Sequence, residues 1–225
     1  MKFMKKKVFV VAVAVSLIAI LSMGTLAWFT AKDEVTNTFM VATSTDVNPE
    51  DIFSVSVWEN TPDGDKDTDG YEYKDILPGD ILKKEVSVEN TGYYDQYIRV
   101  TVTVSDAQAW MNALGVTEAP DLDKLVDGFD YNASVWVDNS KEVIGNDIVY
   151  TMYYNGVLDG ADDGDETSVV SVFSAVKIPQ SLTVDQAAAF KNNFEIKVVA
   201  DAVQTENLGV DPSQGDGAKE AFDAI

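Results

Sequence analysis

Histidine and cysteine are both missing from this 225-residue chain. Without histidine there is no His-ligated zinc site, no HExxH helix and no Ser-His or Cys-His nucleophile. Without cysteine there is no disulfide framework and no thiolate chemistry. Basic residues are scarce as well: 16 Lys and Arg stand against 38 Asp and Glu, for a net charge of −22. Such a chain repels nucleic acid and anionic lipid. The chemistry left open runs through carboxylates, Lys, Tyr or an oxygen-ligated metal, and a solvated acidic surface accounts for most of the carboxylates. The composition argues against an enzyme, and a hydrolase built on paired carboxylates is the residual alternative.

The few basic residues are unevenly placed. Lys2, Lys5, Lys6 and Lys7 precede an uncharged aliphatic run, Val8 to Leu21, and Thr25-Leu26-Ala27 then sets small residues at −3 and −1 of a cut between Ala27 and Trp28. That is the layout of a secretory signal peptide. A retained anchor needs roughly 20 apolar residues, more than Val8–Met23 supplies. Removal of 1–27 leaves 12 basic and 38 acidic residues, a net charge of −26 on residues 28–225. A remainder of this length supports one domain with its own core, which makes disulfides dispensable. An exported chain without cysteine fits the exterior of a Gram-positive cell.

Within that remainder, apolar and polar residues alternate with period two. Tyr97–Val104 sets Ile98, Val100, Val102 and Val104 inward, with Arg99, Thr101 and Thr103 outward. Phe53–Trp58, Ile81–Asn90, Tyr131–Asp138, Ile148–Tyr154, Ser168–Ile178 and Phe194–Gln204 are further strands. In Ile81–Asn90, Leu82, Val86 and Val88 take one side and charge the other. Strands with one wet and one dry face belong to antiparallel sheets. Leu77-Pro-Gly-Asp80 and Asn90-Thr-Gly92 mark turns, and Asn155-Gly156 reads as a hairpin signal. Ser105-x-x-Gln108 and Thr183-x-x-Gln186 are capping-box spacings that open short helices, and Asp121–Val126 adds a further turn. The expected fold is all-β: a jelly-roll-like antiparallel β-sandwich over 43–208 with short helices in its connections. Residues 28–42 precede it as a first strand, and 209–225 follow as a mobile acidic tail with a short helix from Gly217.

Several of these stretches carry a family likeness. Gly24-Thr25-x-Ala27-x-Phe29, Asn37-Thr-Phe39, the run Leu77-Pro-Gly-Asp-Ile-Leu-Lys-Lys-Glu-Val-Ser-Val-Glu-Asn-Thr-Gly92 and Asp95-Gln-Tyr-Ile-Arg-Val100 together resemble the TasA/camelysin family of exported Gram-positive proteins. The resemblance is strongest over 1–104. It implies cleavage by a SipW-type signal peptidase and a secreted subunit of biofilm-matrix or cell-surface fibres. It also implies self-association, with the freed N-terminal strand entering a neighbour's sheet, and partners among related matrix or anchor proteins. The metalloprotease role described for camelysin relatives does not carry over to a chain without histidine. Val35, Asn37, Phe39 and Val41 share one parity of the candidate donor strand, a pattern that serves an ordinary first strand equally well. Contact with a membrane is expected only through an uncleaved signal peptide.

Asp65-x-Asp67-x-Asp69-Gly70 matches positions 1, 3, 5 and 6 of a calcium loop, but position 12 is Ile76; Glu72 is a candidate closing ligand. Calcium is thus the one candidate metal, and no cofactor is required. The looser acidic run Asp159–Glu166 shares this reading, although both loops also serve as charged spacers that discourage lateral aggregation. Trp58, Tyr71, Tyr73, Tyr93, Tyr94, Trp136, Tyr153 and Tyr154 raise the alternative of a cell-surface binding module, acting as a monomer on calcium, carbohydrate or protein.

Overall fold

The computed structural model describes residues 30–35, 54–60, 66–68, 72–73, 75–129, 134–160, 168–183, 185–186, 190, 194–205, 208 and 217–225. Among these residues, ten strands form two antiparallel sheets. The first sheet runs in the order β1 (Thr30–Val35), β10 (Ile196–Gln204), β5 (Gln96–Val104), β8 (Asp147–Tyr154) and β7 (Trp136–Ile144). The second runs β3 (Lys66–Asp67), β2 (Val55–Asn60), β4 (Ile81–Asn90), β9 (Val169–Lys177) and β6 (Val126–Asp127). The chain is wound as a nest, with β1 on β10, β4 on β9 and β5 on β8. The two inner faces share one core, as alternation demands of an antiparallel sandwich. Val57 and Val88 meet Ile98, Val100, Val102 and Val104 there, all without solvent exposure.

The aromatic residues define the layers. Trp136 is fully buried between the sheets, and its indole N–H donates to the Ser171 carbonyl of β9 at 3.0 Å. Val137, of the opposite parity, packs on the outer face of β7 with the cluster that holds the C-terminal helix. That helix, α2 (Gly217–Asp223), is not the free end of an acidic tail. Ala218, Ala221 and Phe222 are buried against Tyr97, Tyr153 and Val203, and Phe222 lies under the Arg99 guanidinium at 4.5 Å from the ring centre. Arg99 in turn pairs with Asp201 at 2.8 Å. An apolar stripe on a short helix and a guanidinium over its ring are enough to dock it on the outer sheet face.

Helix α1 (Ala107–Leu114) forms where expected but begins differently. Asp106 caps it in the left-handed region (φ 60°), while the Ser105 hydroxyl accepts the Glu195 amide at 2.8 Å instead of closing a capping box. Trp110 anchors the helix edge-to-face on Phe190 and Phe194, with centroids 5.2 and 5.0 Å away. The other capping box is made: the Thr183 amide donates to Gln186 Oε1 (2.8 Å) and the Gln186 amide to Thr183 Oγ1 (3.3 Å). Leu122–Lys124 contributes a single 3₁₀ turn.

The hairpin signal falls elsewhere than expected. Asn155-Gly156 does not join paired strands: the Asn155 amide bonds Val135, and the chain bends to Leu158, which exchanges two backbone hydrogen bonds with Gln96. The tight hairpin is β7–β8, closed by Gly145-Asn146 between the paired Ile144 and Asp147, with Gly145 at φ 65°.

Tyr150 on β8 shows what the dry interior does to a polar group. Its hydroxyl donates to the Pro120 carbonyl at 2.9 Å, and burial pushes its pKa above the ordinary phenol range, with smaller pushes from Asp121 and Asp123. The folded chain then holds a proton that the unfolded chain releases. This group's stability contribution is complete below the unfolded value of about 10 and is lost as pH rises past it. Urea unfolding above pH 10 should therefore weaken more steeply for the wild type than for Tyr150→Phe, which at pH 7 starts lower by about 1 kcal/mol.

Candidate functional site

The edge of the first sheet is where the N-terminal strand sits. β1 lies antiparallel on β10 of the same chain in a six-residue register, from Thr30 opposite Val203 to Val35 opposite Val198. β10 is a buried strand, with Val198, Val199, Ala200, Ala202 and Val203 all sequestered, and its other side is taken by β5. β1 therefore fills a backbone ladder that would otherwise stand open beside apolar side chains. Along the chain, residues 36–54 separate it from β2. Of the expected donor residues, Val35 ends this ladder, while Asn37, Phe39 and Val41 lie outside the described residues, as do Ala27 and Trp28 at the expected cut.

Two of the four expected calcium ligands, Asp67 and Glu72, fall within the described residues. Asp67 lies in β3 directly across from Glu59 of β2, and Glu72 is exposed; Asp65 and Asp69 lie outside the described residues. Among the described residues no three acidic side chains converge as metal ligands. The described members of the aromatic set do not share one open face. Trp136 is in the core, Tyr153 lies under α2, and Tyr71 is outside the described residues.

Tyr93 and Tyr94 stand together in solvent, edge-to-face at 5.1 Å. Buried amides hold their loop. Asn90, with no exposure, donates from Nδ2 to the Tyr94 and Leu158 carbonyls and accepts the Gly92 amide on Oδ1. Gln96, equally buried, donates to the Ser54 carbonyl. Gly160 packs so closely on the Tyr93 backbone that a Cβ would sit 2.1 Å from its carbonyl oxygen.

A buried ion pair lies at the β3 edge of the second sheet. Glu59 of β2 is 1% exposed and Lys84 of β4 is 9% exposed, and the Lys84 ammonium contacts Glu59 Oε2. The expectation that charge takes only the outer side of β4 fails at Lys84, which shares the parity of Val86 and Val88 and is buried with them, as Glu59 shares that of Val55 and Val57. Among the described residues no helix is long and apolar enough to cross a membrane. Comparison with family models, with curated proteins and with solved structures yields no match.

Proposed function

We propose that this chain is a non-enzymatic structural subunit of extracellular or cell-surface fibres. In this reading it is a secreted jelly roll of a Gram-positive bacterium that assembles by passing its N-terminal strand to a neighbour. The observation that carries the reading is the β1–β10 ladder at the sheet edge. A second copy's β1 can make the same backbone hydrogen bonds to β10, so the exchange conserves the contacts and changes only which chain supplies them. The nested pairing of β1 with β10, β4 with β9 and β5 with β8 supports the jelly-roll winding. The likeness of Gly24–Phe29 and Leu77–Val100 to the TasA/camelysin family supports export and a matrix role. The exposed Tyr93–Tyr94 pair favours a second reading, a surface module that binds a protein ligand as a monomer.

The test compares residues 28–225 with residues 42–225 by electron microscopy and sedimentation, with and without calcium. The longer chain should form elongated assemblies over days, and the shorter should stay monomeric and bind a synthetic peptide of residues 28–42 one to one. Two monomers that never assemble, or a folded 42–225 that ignores the peptide, would overturn strand exchange. The intact mass of the exported protein tests processing, which is expected to leave Trp28 as the first residue.

A further inference from the structure

We propose that Lys84 and Glu59 join through an amide bond between Lys84 Nζ and Glu59 Cδ, with loss of one water, covalently tying β2 to β4. The placement comes from the ladder. Glu59 stands directly across from Val86, so the two share the inner face, and Lys84, two residues before Val86, leaves the sheet on that face as well. The register between β4 and β9 shifts between Lys83 and Val86, the interval that holds Lys84 and Glu85. Val57, Val86, Val88 and Phe173 are all buried, so water is largely excluded from this part of the sheet.

The chemistry follows from that dryness. Among the described residues the carboxylate's partner is Lys84, and Glu59 Oε1 receives no hydrogen bond. Two nearly bare charges are costly in an apolar interior, and shifting one proton from Nζ to Oε2 yields a neutral amine and a neutral acid. Desolvation pulls Lys84 down to about 8, which places a nucleophilic amine within reach of neutral conditions. The nitrogen lone pair attacks Cδ and the C–N bond forms. The tetrahedral carbon then expels its protonated hydroxyl as the C–O bond breaks. One ammonium and one carboxylate become one amide and one water, with no oxidant or co-reactant.

A third group completes the arrangement. Asp67 sits directly across from Glu59 in the β2–β3 ladder, so its carboxylate leaves the sheet on the same face. It is placed to take the proton from nitrogen and pass it to the departing hydroxyl. Asp67 is a positioning and relay group in this reading, while Lys84 and Glu59 are the residues consumed. In a chain without cysteine, the product would be a cross-link that does the work of a disulfide and resists reduction.

The intact mass of the full exported protein, measured under denaturing conditions, tests this directly. It should be lower by one water than its sequence requires, and protease digestion should release a branched peptide joining the segments that hold residues 59 and 84. Lys84→Arg keeps the charge and should restore the full mass, and Asp67→Asn should slow the loss of water at least tenfold after refolding. The Asp-Gly steps of the chain can lose water as succinimides, but that loss would persist in Lys84→Arg and reverse at alkaline pH. A folded wild type at full mass, or a missing water traced to an Asp-Gly step, overturns the proposal. The wild-type measurement decides the matter even if a variant fails to fold.

Discussion

Replacing Lys84 with methionine should lower the unfolding free energy by about 3–5 kcal/mol, because it strands a carboxylate in the interior. Glu59 is 1% exposed, and the lysine is its charge partner. The double variant Glu59→Leu/Lys84→Met removes both charges and should regain most of the electrostatic loss, since apolar residues of similar size tolerate such positions well. An amide, where it forms, is lost from both variants alike, so the difference between them reports the stranded carboxylate. Urea unfolding followed by circular dichroism reads both values, and a single variant as stable as the double would contradict this account.

Trp136→Ala should cost a similar amount, about 3–5 kcal/mol, because it empties a ring-sized volume between the sheets. The ring is fully buried, and its N–H ties the first sheet to the Ser171 carbonyl of the second. Trp136→Phe keeps most of the volume but leaves that carbonyl without its donor, and should cost about 1–3 kcal/mol. A residue on an open sugar-binding face would behave otherwise, with changes within about 0.5 kcal/mol. Thermal unfolding distinguishes the two placements.

Strand alternation was legible wherever one face met the core and the other met water. β5 is the clearest case: Ile98, Val100, Val102 and Val104 are inward, and Arg99, Thr101 and Thr103 outward. It failed around Trp136, because α2 covers the outer face of that sheet and makes both parities of β7 apolar near its start. Local spacing could not foresee a helix contributed from eighty residues further along. The capping spacing at Thr183 held and the one at Ser105 did not, because Ser105 is drawn to the Glu195 amide, a partner distant in sequence.

The buried pair was legible by half. Parity places Glu59 with Val55 and Val57, and Lys84 with Val86 and Val88, so each charge could be assigned to the core face from its own strand. What no local pattern contains is that β2 and β4 are neighbours, with a register that brings the two charges together. The same holds for the Tyr93–Tyr94 loop, whose hold on Asn90 comes from Leu158, 68 residues away. For β1, alternation marks a strand but does not say which chain's β10 receives it.

The first and last strands of the nest lie side by side, with Thr30 beside Val203 at one end and Val35 beside Val198 at the other. Tension applied to the two ends of a single chain would therefore reach the Thr30 end of this ladder first and peel it bond by bond, the weakest way to load a sheet. In the exchanged arrangement the pull on β1 would arrive from its Val35 end while the acceptor's sandwich holds β10. All the bonds of the ladder would then be strained together, in shear. The same six residues would make a soft closure within one molecule and a hard joint between two.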